Sequence, residues 1–571
     1  MKFRRPTDLC IVSFISGLAV LGFSRRPVLL GVLNFIHRST TWATFGDAIS
    51  FVLVGFAALF LLLAVYSAIV SLSFSGLWQQ AGAAINDASA GSKGVWESFA
   101  DYTGQLGFAA VWAVLALGIG TCVRGYFLSQ PMRGDESFTF LTYVNNGLSS
   151  LFNYTEINDH VLSNILIKVS TLIFGGSPPA IRFPAFLAGI ATILLVFIFA
   201  RALDPGKNVG IFAALGTAVF PYLILFSTNA RGYAVITLLT LTIALFGLRF
   251  VQRPSRKRAV ALALLSSLGM FTIPVMVVPL AGICLWMLAL LLINKVPLKT
   301  IFFEFLMPYG IFCGVFTFVF YTPVILASNG IGPIVANKFV KPQTWSVFMA
   351  NVWPQTQSSV GQLFRDIPLV VLVLAGLLFL AAIYRSARTH NWAVLLLLPL
   401  VLFGAAVPMV IQRQIPYART WCFIIPFMML VVDFGLNAIL ERIPGRGQAW
   451  LNAAVILLGL AYAVNLMARN VITGYPDTSG FPEAPIAVQY LKPIFKPNDA
   501  VRITSTANWS IAYYFWYYKM PQPTAKAGQT DGRIFYIVKK SRAGNTDNLQ
   551  TSAFVQLLDI GDMALYQRVG K

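Results

Sequence analysis

GFAAVWAVLALGIGTCVRGYFL (Gly107–Leu128) is an apolar run long enough to cross about 30 Å of hydrocarbon, and SQPMRGDE (Ser129–Glu136) follows it directly. The second stretch stands out against its surroundings. Between Tyr102 and Leu203 only four residues are acidic, Asp135, Glu136, Glu156 and Asp159, and all four fall in the polar loop that opens where the run ends. Carboxylates gathered at the mouth of a membrane helix suit chemistry at the lipid–water boundary.

The rest of the chain repeats the first half of this pattern. Its 571 residues are 57% hydrophobic and 11% charged, with a mean hydropathy of +0.72. A soluble protein of this length could not cover its surface with so few charges. Apolar runs recur at 8–23, 49–72, 107–128, 180–203, 209–226, 232–251, 259–273, 275–294, 301–325, 367–384, 392–411, 418–439 and 449–468, about thirteen spans by the length rule. The fold class expected is a polytopic α-helical membrane protein, not a β-barrel, which would show short alternating strands. The net charge of +21 resides largely in short loops: Arg249–Arg258, Lys295 and Lys299, Arg385 and Arg388, Arg442 and Arg446. The positive-inside rule puts these loops in the cytoplasm. Loops 129–179 and 326–366, and everything after about 469, then lie outside. No basic arm or nucleic-acid motif is present, and nucleic acid is excluded as a partner. The five cysteines are scattered through apolar segments without a CxxC pair, which excludes a metal or disulfide framework. The basic start followed by an apolar stretch is read as a retained first span, not a cleaved signal.

Three divisions follow: an N-terminal membrane extension (1–106), a membrane core (107–469) and a C-terminal α/β domain (470–571) on the outer face. Residues 73–106 read as a surface helix. In the last division the pattern predicts helices at Pro485–Phe495, Trp509–Met520 and Asn548–Leu558, with strands at Ala500–Ser505, Arg533–Val538 and Met563–Gln567.

Three motifs carry candidate chemistry. Asp135-Glu136 can act as a general base or hold a divalent cation, Mg or Mn, with Asp159 as a third ligand. Glu156-Ile-Asn-Asp159-His160 precedes Val161–Phe174, whose helical spacing predicts a juxtamembrane helix in the interface. Ser227-Thr-Asn-Ala-Arg231-Gly-Tyr233 puts an arginine in an outer loop, where it calls for an anionic partner, a phosphate or Asp135.

In order and spacing these motifs resemble the GT-C glycosyltransferases that use polyprenyl-phosphate sugars, specifically the family of protein O-mannosyltransferases and of the lipid A aminoarabinose transferase. The carrying residues are Asp135-Glu136, Asn158-Asp159-His160, Phe174-Gly175, Arg182-Phe-Pro184 and Ala230-Arg231-Gly-Tyr233, with Arg413-Gln-Ile-Pro-Tyr-Ala-Arg419 as a late arginine-rich loop. The match covers roughly 107–440. The family's common His-Pro-Pro is His160-Val161-Leu162 here, and the segments before 107 add to the usual core. The resemblance implies inverting transfer of a sugar from a polyprenyl-phosphate donor to a hydroxyl of a lipid, glycan or protein acceptor. It would take place at the outer face of a bacterial inner (plasma) membrane, among membrane lipids. It implies Asp135, Glu136 and His160 as the catalytic group, with Asp135 the base. Asp159, Arg231, Tyr233, Lys338, Lys341, Arg413 and Arg419 would bind substrate. Two other classes stand beside this one. A transporter or flippase would draw on the two acids within spans, Glu304 and Asp433. A non-catalytic scaffold would leave function indifferent to Asp135.

Overall fold

The computed structural model describes residues 94–154, 156, 159–335, 342–503, 508–521, 532–540 and 554–568, with side chains from 109 onward. The two expected N-terminal spans, the part of the surface helix before residue 94, Asn158, Lys338 and Lys341 lie outside the described residues. The chain divides into two compact units, Met1–Gly107 and Phe108–Lys571; the site belongs to the second.

Nine helices among the described residues are long and apolar enough to cross a membrane, and the chain is an integral membrane protein. The helices are α1 (Gly94–Leu128), α2 (Gly134–Thr139), α3 (Val161–Phe174), α4 (Pro178–Leu203), α5 (Ile211–Val219), α6 (Pro221–Ser227), α7 (Tyr233–Gln252), α8 (Arg256–Thr272), α9 (Val277–Ile293), α10 (Met307–Ala327), α11 (Trp345–Leu363), α12 (Leu369–Arg388), α13 (Trp392–Gln412), α14 (Ile424–Leu440), α15 (Gly445–Ala468), α16 (Ala484–Leu491) and α17 (Asn508–Tyr517). The expected juxtamembrane helix is α3; it stops at Gly175, whose φ of +79° favours a residue without Cβ. Residues 94–106, expected as surface helix, continue into the span as the first part of α1.

Two expected spans within the described residues are not among the nine: 259–273 lies in the 17-residue helix α8, and 209–226 takes another form. Residues 209–226 make two short helices, α5 and α6, because Pro221 has no amide to continue the ladder and Phe220 turns to extended geometry (ψ 118°). Nearly every residue from 209 to 237 is buried, so this broken segment is the centre of the bundle. Its free ends are satisfied from other helices. Asp433 of α14 accepts from the amides of Gly210 (2.8 Å), Phe212 (3.0 Å) and Ala213 (3.2 Å) at the start of α5. Arg124 of α1 donates to the carbonyls of Ala218 (2.6 Å) and Thr217 (3.1 Å) at its end. A carboxylate at a helix N-terminus and a guanidinium at its C-terminus complement the helix dipole as well as the orphan groups. The other acid within a span, Glu304, likewise accepts from the amide of Arg256 at the start of α8 (3.0 Å). Both acids that a transporter would use are therefore helix caps.

Close helix approach comes from glycine. A Cβ on Gly282 of α9 would stand 2.4 Å from the Val401 carbonyl oxygen, and one on Gly404 of α13 would stand 2.5 Å from the Gly282 Cα. The pair lets the two backbones touch, the usual means of association where lipid offers no hydrophobic gain.

The C-terminal sheet has strands β1 (Ala500–Ile503), β2 (Ile534–Lys539), β3 (Phe554–Ile560) and β4 (Met563–Arg568) in the order β1-β2-β4-β3. β1 and β2 are parallel, and the other pairs are antiparallel. The helix expected over Asn548–Leu558 is corrected for its described part, which is strand β3. Phe554, Leu557 and Leu558 mimic helical spacing, but the register shifts between Gln556 and Leu558, leaving Leu557 as the extra residue of a bulge. The hairpin turn is Gly561-Asp562, with Gly561 at φ +56°. Aromatic residues of α17 lock this region onto the loops after α1 and α3: Tyr514 Oη accepts from the Met132 amide (2.9 Å) and Tyr513 Oη donates to the Gly176 carbonyl (2.9 Å).

Candidate functional site

The polar layer sits where α1 and α4 meet the loops. Arg182, in the second turn of α4, reaches the Asp135-Glu136 loop, whereas Asp204, just past the helix's other end, pairs with Arg385 (2.7 Å). The helix between has 26 residues, about 39 Å of rise, so the two charged layers lie at opposite ends of a membrane-thick bundle.

The adjacent acids have opposite surroundings. Glu136 is fully buried and accepts four hydrogen bonds. They come from Arg182 Nε (3.0 Å) and Nη2, the Arg133 amide (2.9 Å) and the Ala230 amide (2.9 Å). Two carboxylate oxygens offer about four lone-pair sites, so Glu136 has no capacity left for a proton or a cation. Arg182 also donates to the carbonyls of Leu128, Gln130 and Pro131 (2.8, 2.5 and 3.0 Å). The pair is the clasp that holds the loop to α4.

Asp135, one residue earlier on α2, points elsewhere. It is half-buried and its contacts are long: Arg419 Nη1 at 3.5 Å from Oδ2 and Ser479 Oγ at 3.5 Å from Oδ1. Its oxygens keep lone pairs to offer. Arg419 lies over the rings of Tyr417 (4.8 Å) and Tyr233 (6.0 Å). Tyr233 meets His160 edge-on at 5.2 Å. His160 Nε2 is 3.1 Å from Arg231 Nη2, and Arg231 Nη1 donates to Thr139 Oγ1 at 2.7 Å, at the far end of α2. The structure therefore brings Asp135, Arg419, Tyr233, His160 and Arg231 into one ring of contacts closed by α2.

His160 is buried, and its Nδ1 accepts from the Gly232 amide (2.9 Å). Burial, then the guanidiniums of Arg231 and Arg419, holds its pKa well below the ordinary value, so the ring is neutral. Both ring nitrogens face groups that only donate, the Gly232 amide at Nδ1 and the Arg231 guanidinium at Nε2. His160 is thus poorly placed to collect a proton. Asp159 is also buried; Asn164 donates to Oδ1 (2.6 Å) and Oδ2 has no partner. Burial pushes its pKa well above the usual carboxylate range, against the opposing pull of Arg231. Arg413 lies apart: it caps α13 at φ +49° and lies over Trp345 at 5.8 Å.

The expected cation trio does not form a ligand set. Glu136 is saturated, Asp135 faces Arg419, and among the described residues no three of His, Cys, Asp and Glu converge. No step is routed through a metal.

The larger surprise is the segment 472–480, which the sequence reading assigned to the C-terminal domain without a role in the site. Arg133 donates to the carbonyls of Ile472 (2.6 Å), Tyr475 (2.7 Å) and Asp477 (2.9 Å). Thr478 and Ser479 accept from the amides of Asp135 (3.3 Å) and Gly134 (3.1 Å) at the start of α2. Asp477 accepts from Tyr222 Oη (3.2 Å) and pairs with Arg365 (3.0 Å). Pro476-Asp-Thr-Ser-Gly480 is legible as a turn; its docking on Asp135 is not.

Comparison with known proteins bears on the resemblance. A family model described as dolichyl-phosphate-mannose-protein mannosyltransferase matches residues 161–326. No curated protein matches the chain. Similar solved structures include ArnT from Cupriavidus metallidurans, in the apo state and bound to undecaprenyl phosphate. Each shares 13% identity at a TM-score of 0.48 over 81% of this chain and 98% of that chain. The Archaeoglobus fulgidus oligosaccharyltransferase in complex with Zn and sulfate shares 11% identity at a TM-score of 0.41, over 75% of this chain and 68% of that chain. The family match supports the resemblance carried by the ordered motifs, that of a polyprenyl-phosphate-dependent membrane glycosyltransferase.

Proposed function

We propose that this protein moves a sugar from a polyprenyl-phosphate donor to an acceptor hydroxyl, with inversion at the anomeric carbon and Asp135 as general base. The carrying observation is the contrast within the acid pair: Asp135 keeps lone pairs free beside a guanidinium, while Glu136 is consumed by four donors. The acceptor oxygen bonds to the anomeric carbon as the bond from that carbon to the phosphate oxygen breaks. The hydroxyl proton passes to Asp135, and the polyprenyl phosphate leaves with the bonding pair and its negative charge. Arg419 is the cation nearest Asp135 that retains exposure, and Arg231 supports the same charge from behind. Glu136, His160 and Asp159 are positioning groups in this reading, because each is buried and none reaches an open surface. Lys338 and Lys341 of loop 326–366, and Arg413 just past α13, remain candidates for the donor phosphate. The use of Asp433 and Glu304 as helix caps weighs against the transporter. By the charge rule the site faces away from the cytoplasm, and the resemblance implies the outer face of a bacterial inner membrane.

The test is sugar transfer by the purified protein in detergent, from a panel of polyprenyl-phosphate sugars beginning with mannose, onto membrane extract. Wild type is compared with Asp135→Asn. Transfer lost in a folded mutant is expected; full turnover in that mutant overturns the assignment of the base.

A further inference from the structure

We infer that Ser479 is a positioning residue for Asp135, and that the segment 472–480 makes the C-terminal region part of the active site. The inference rests on the reading of Asp135 as the base.

Ser479 addresses α2 twice. Its carbonyl accepts from the Gly134 amide (3.1 Å), and its hydroxyl stands 3.5 Å from Asp135 Oδ1. It does so from a conformation that a serine rarely adopts: φ is +59° at Ser479 and +55° at Thr478 before it. Two successive non-glycine residues in the left-handed region persist only where surrounding contacts over-determine them. Those contacts are present on both sides. Arg133 grips the carbonyls of Tyr475 and Asp477, Asn229 donates to Thr478 Oγ1 (2.8 Å), and Lys539 of β2 donates to the Gly480 carbonyl (2.6 Å). A glycine stands at the very next position, so the chain carries the relaxed residue beside the strained one. The side chain that glycine would remove is the one that reaches Asp135. The strain therefore has a use: it aims a hydroxyl donor at the carboxylate.

The charged groups around Asp135 are Arg419, from the turn Ala418–Phe423, and Arg133, which precedes α2. Ser479 adds a neutral donor to that set.

Two substitutions separate aim from architecture. Ser479→Gly keeps the backbone bond to Gly134 and removes both the strain and the hydroxyl. Ser479→Ala keeps the strain and removes the hydroxyl. Transfer from a polyprenyl-phosphate sugar is measured against pH for wild type, both variants and Asp135→Asn, with thermal unfolding of each. Ser479→Gly is expected to unfold no earlier than wild type, yet to lose transfer on the order of tenfold, a part of the 10²–10⁴ a general base supplies. Ser479→Ala shows the same loss. In the Asp135→Asn background neither change lowers the residual rate further. Wild-type turnover in Ser479→Gly overturns this inference and leaves the base assignment standing. Full turnover in Asp135→Asn overturns both.

Discussion

Exchanging one oxygen for an amide at two neighbouring positions should produce opposite failures. In Glu136→Gln the new NH2 group replaces an oxygen that accepts from two donors, either Arg182 Nη2 with the Arg133 amide or Arg182 Nε with the Ala230 amide. Donor then meets donor, and Arg182, fully buried itself, loses its counter-charge. Removing one partner of a buried ion pair costs about 3–5 kcal/mol, and the loop after α1 has no other link to α4 of that strength. Asp135→Asn disturbs far less. Its pair with Arg419 is 3.5 Å long with both side chains partly exposed, and such pairs contribute roughly 0.2–1 kcal/mol. Thermal unfolding in detergent, followed beside sugar transfer, reads both. Glu136→Gln should lower the unfolding midpoint by several degrees and lose transfer with the fold. Asp135→Asn should keep the midpoint and lose transfer alone. A Glu136→Gln protein as stable as wild type but inactive would refute the division of labour, because it would put Glu136 in the chemistry.

The other expectations concern single residues. His160 is held neutral with its pKa well below 6.5, so the unfolded chain takes up a proton that the folded one refuses, and stability falls as pH drops below about 6.5; His160→Gln should flatten that part of the midpoint-against-pH curve, and an unchanged curve would mean the ring is charged in the fold. Arg231→Lys keeps the charge but cannot reach both Thr139 and His160; binding of undecaprenyl phosphate should weaken about tenfold, and equal affinity would limit Arg231 to structure. Asp433→Asn should cost about 1–3 kcal/mol of stability through weaker capping of α5, with transfer per folded molecule unchanged; an inactive but stable variant would return the transport reading. Transfer should survive EDTA, since the three expected acids do not form a ligand set, and its abolition would refute that geometry.

How much of this was legible depended on whether the signal was local. Val161–Phe174 announced itself as a short amphipathic helix because every contact it needs is set by residues three and four apart. The broken centre of the bundle was not visible as a break. Residues 209–226 are apolar enough to span, and Pro221 alone does not distinguish a kink from two helices. What stabilises two helices is the supply of caps, Asp433 and Arg124, from elements 223 and 94 residues away. Those same two charges were unreadable without their partners. An acid inside a span reads as function because burying a lone charge is so unfavourable, yet three backbone amides make it a cap. Strand β3 was misread for the opposite reason: the bulge disturbed the local period itself.

The acid pair shows where pattern stops and tertiary structure begins. Asp135 and Glu136 are neighbours of the same chemistry at the same helix end, and no periodicity ranks one above the other. Their fates diverge because α2 turns one toward Arg182, 46 residues on, and the other toward Ser479, 344 residues on. The first contact removes a carboxylate from chemistry by satisfying it. The second leaves one accessible and only loosely held. Motif order could mark the loop as a site, since charge concentrated at a membrane boundary needs a reason. The resemblance already named Asp135 as the base; the physical reason we propose is that a buried arginine uses up Glu136 while a strained turn faces Asp135.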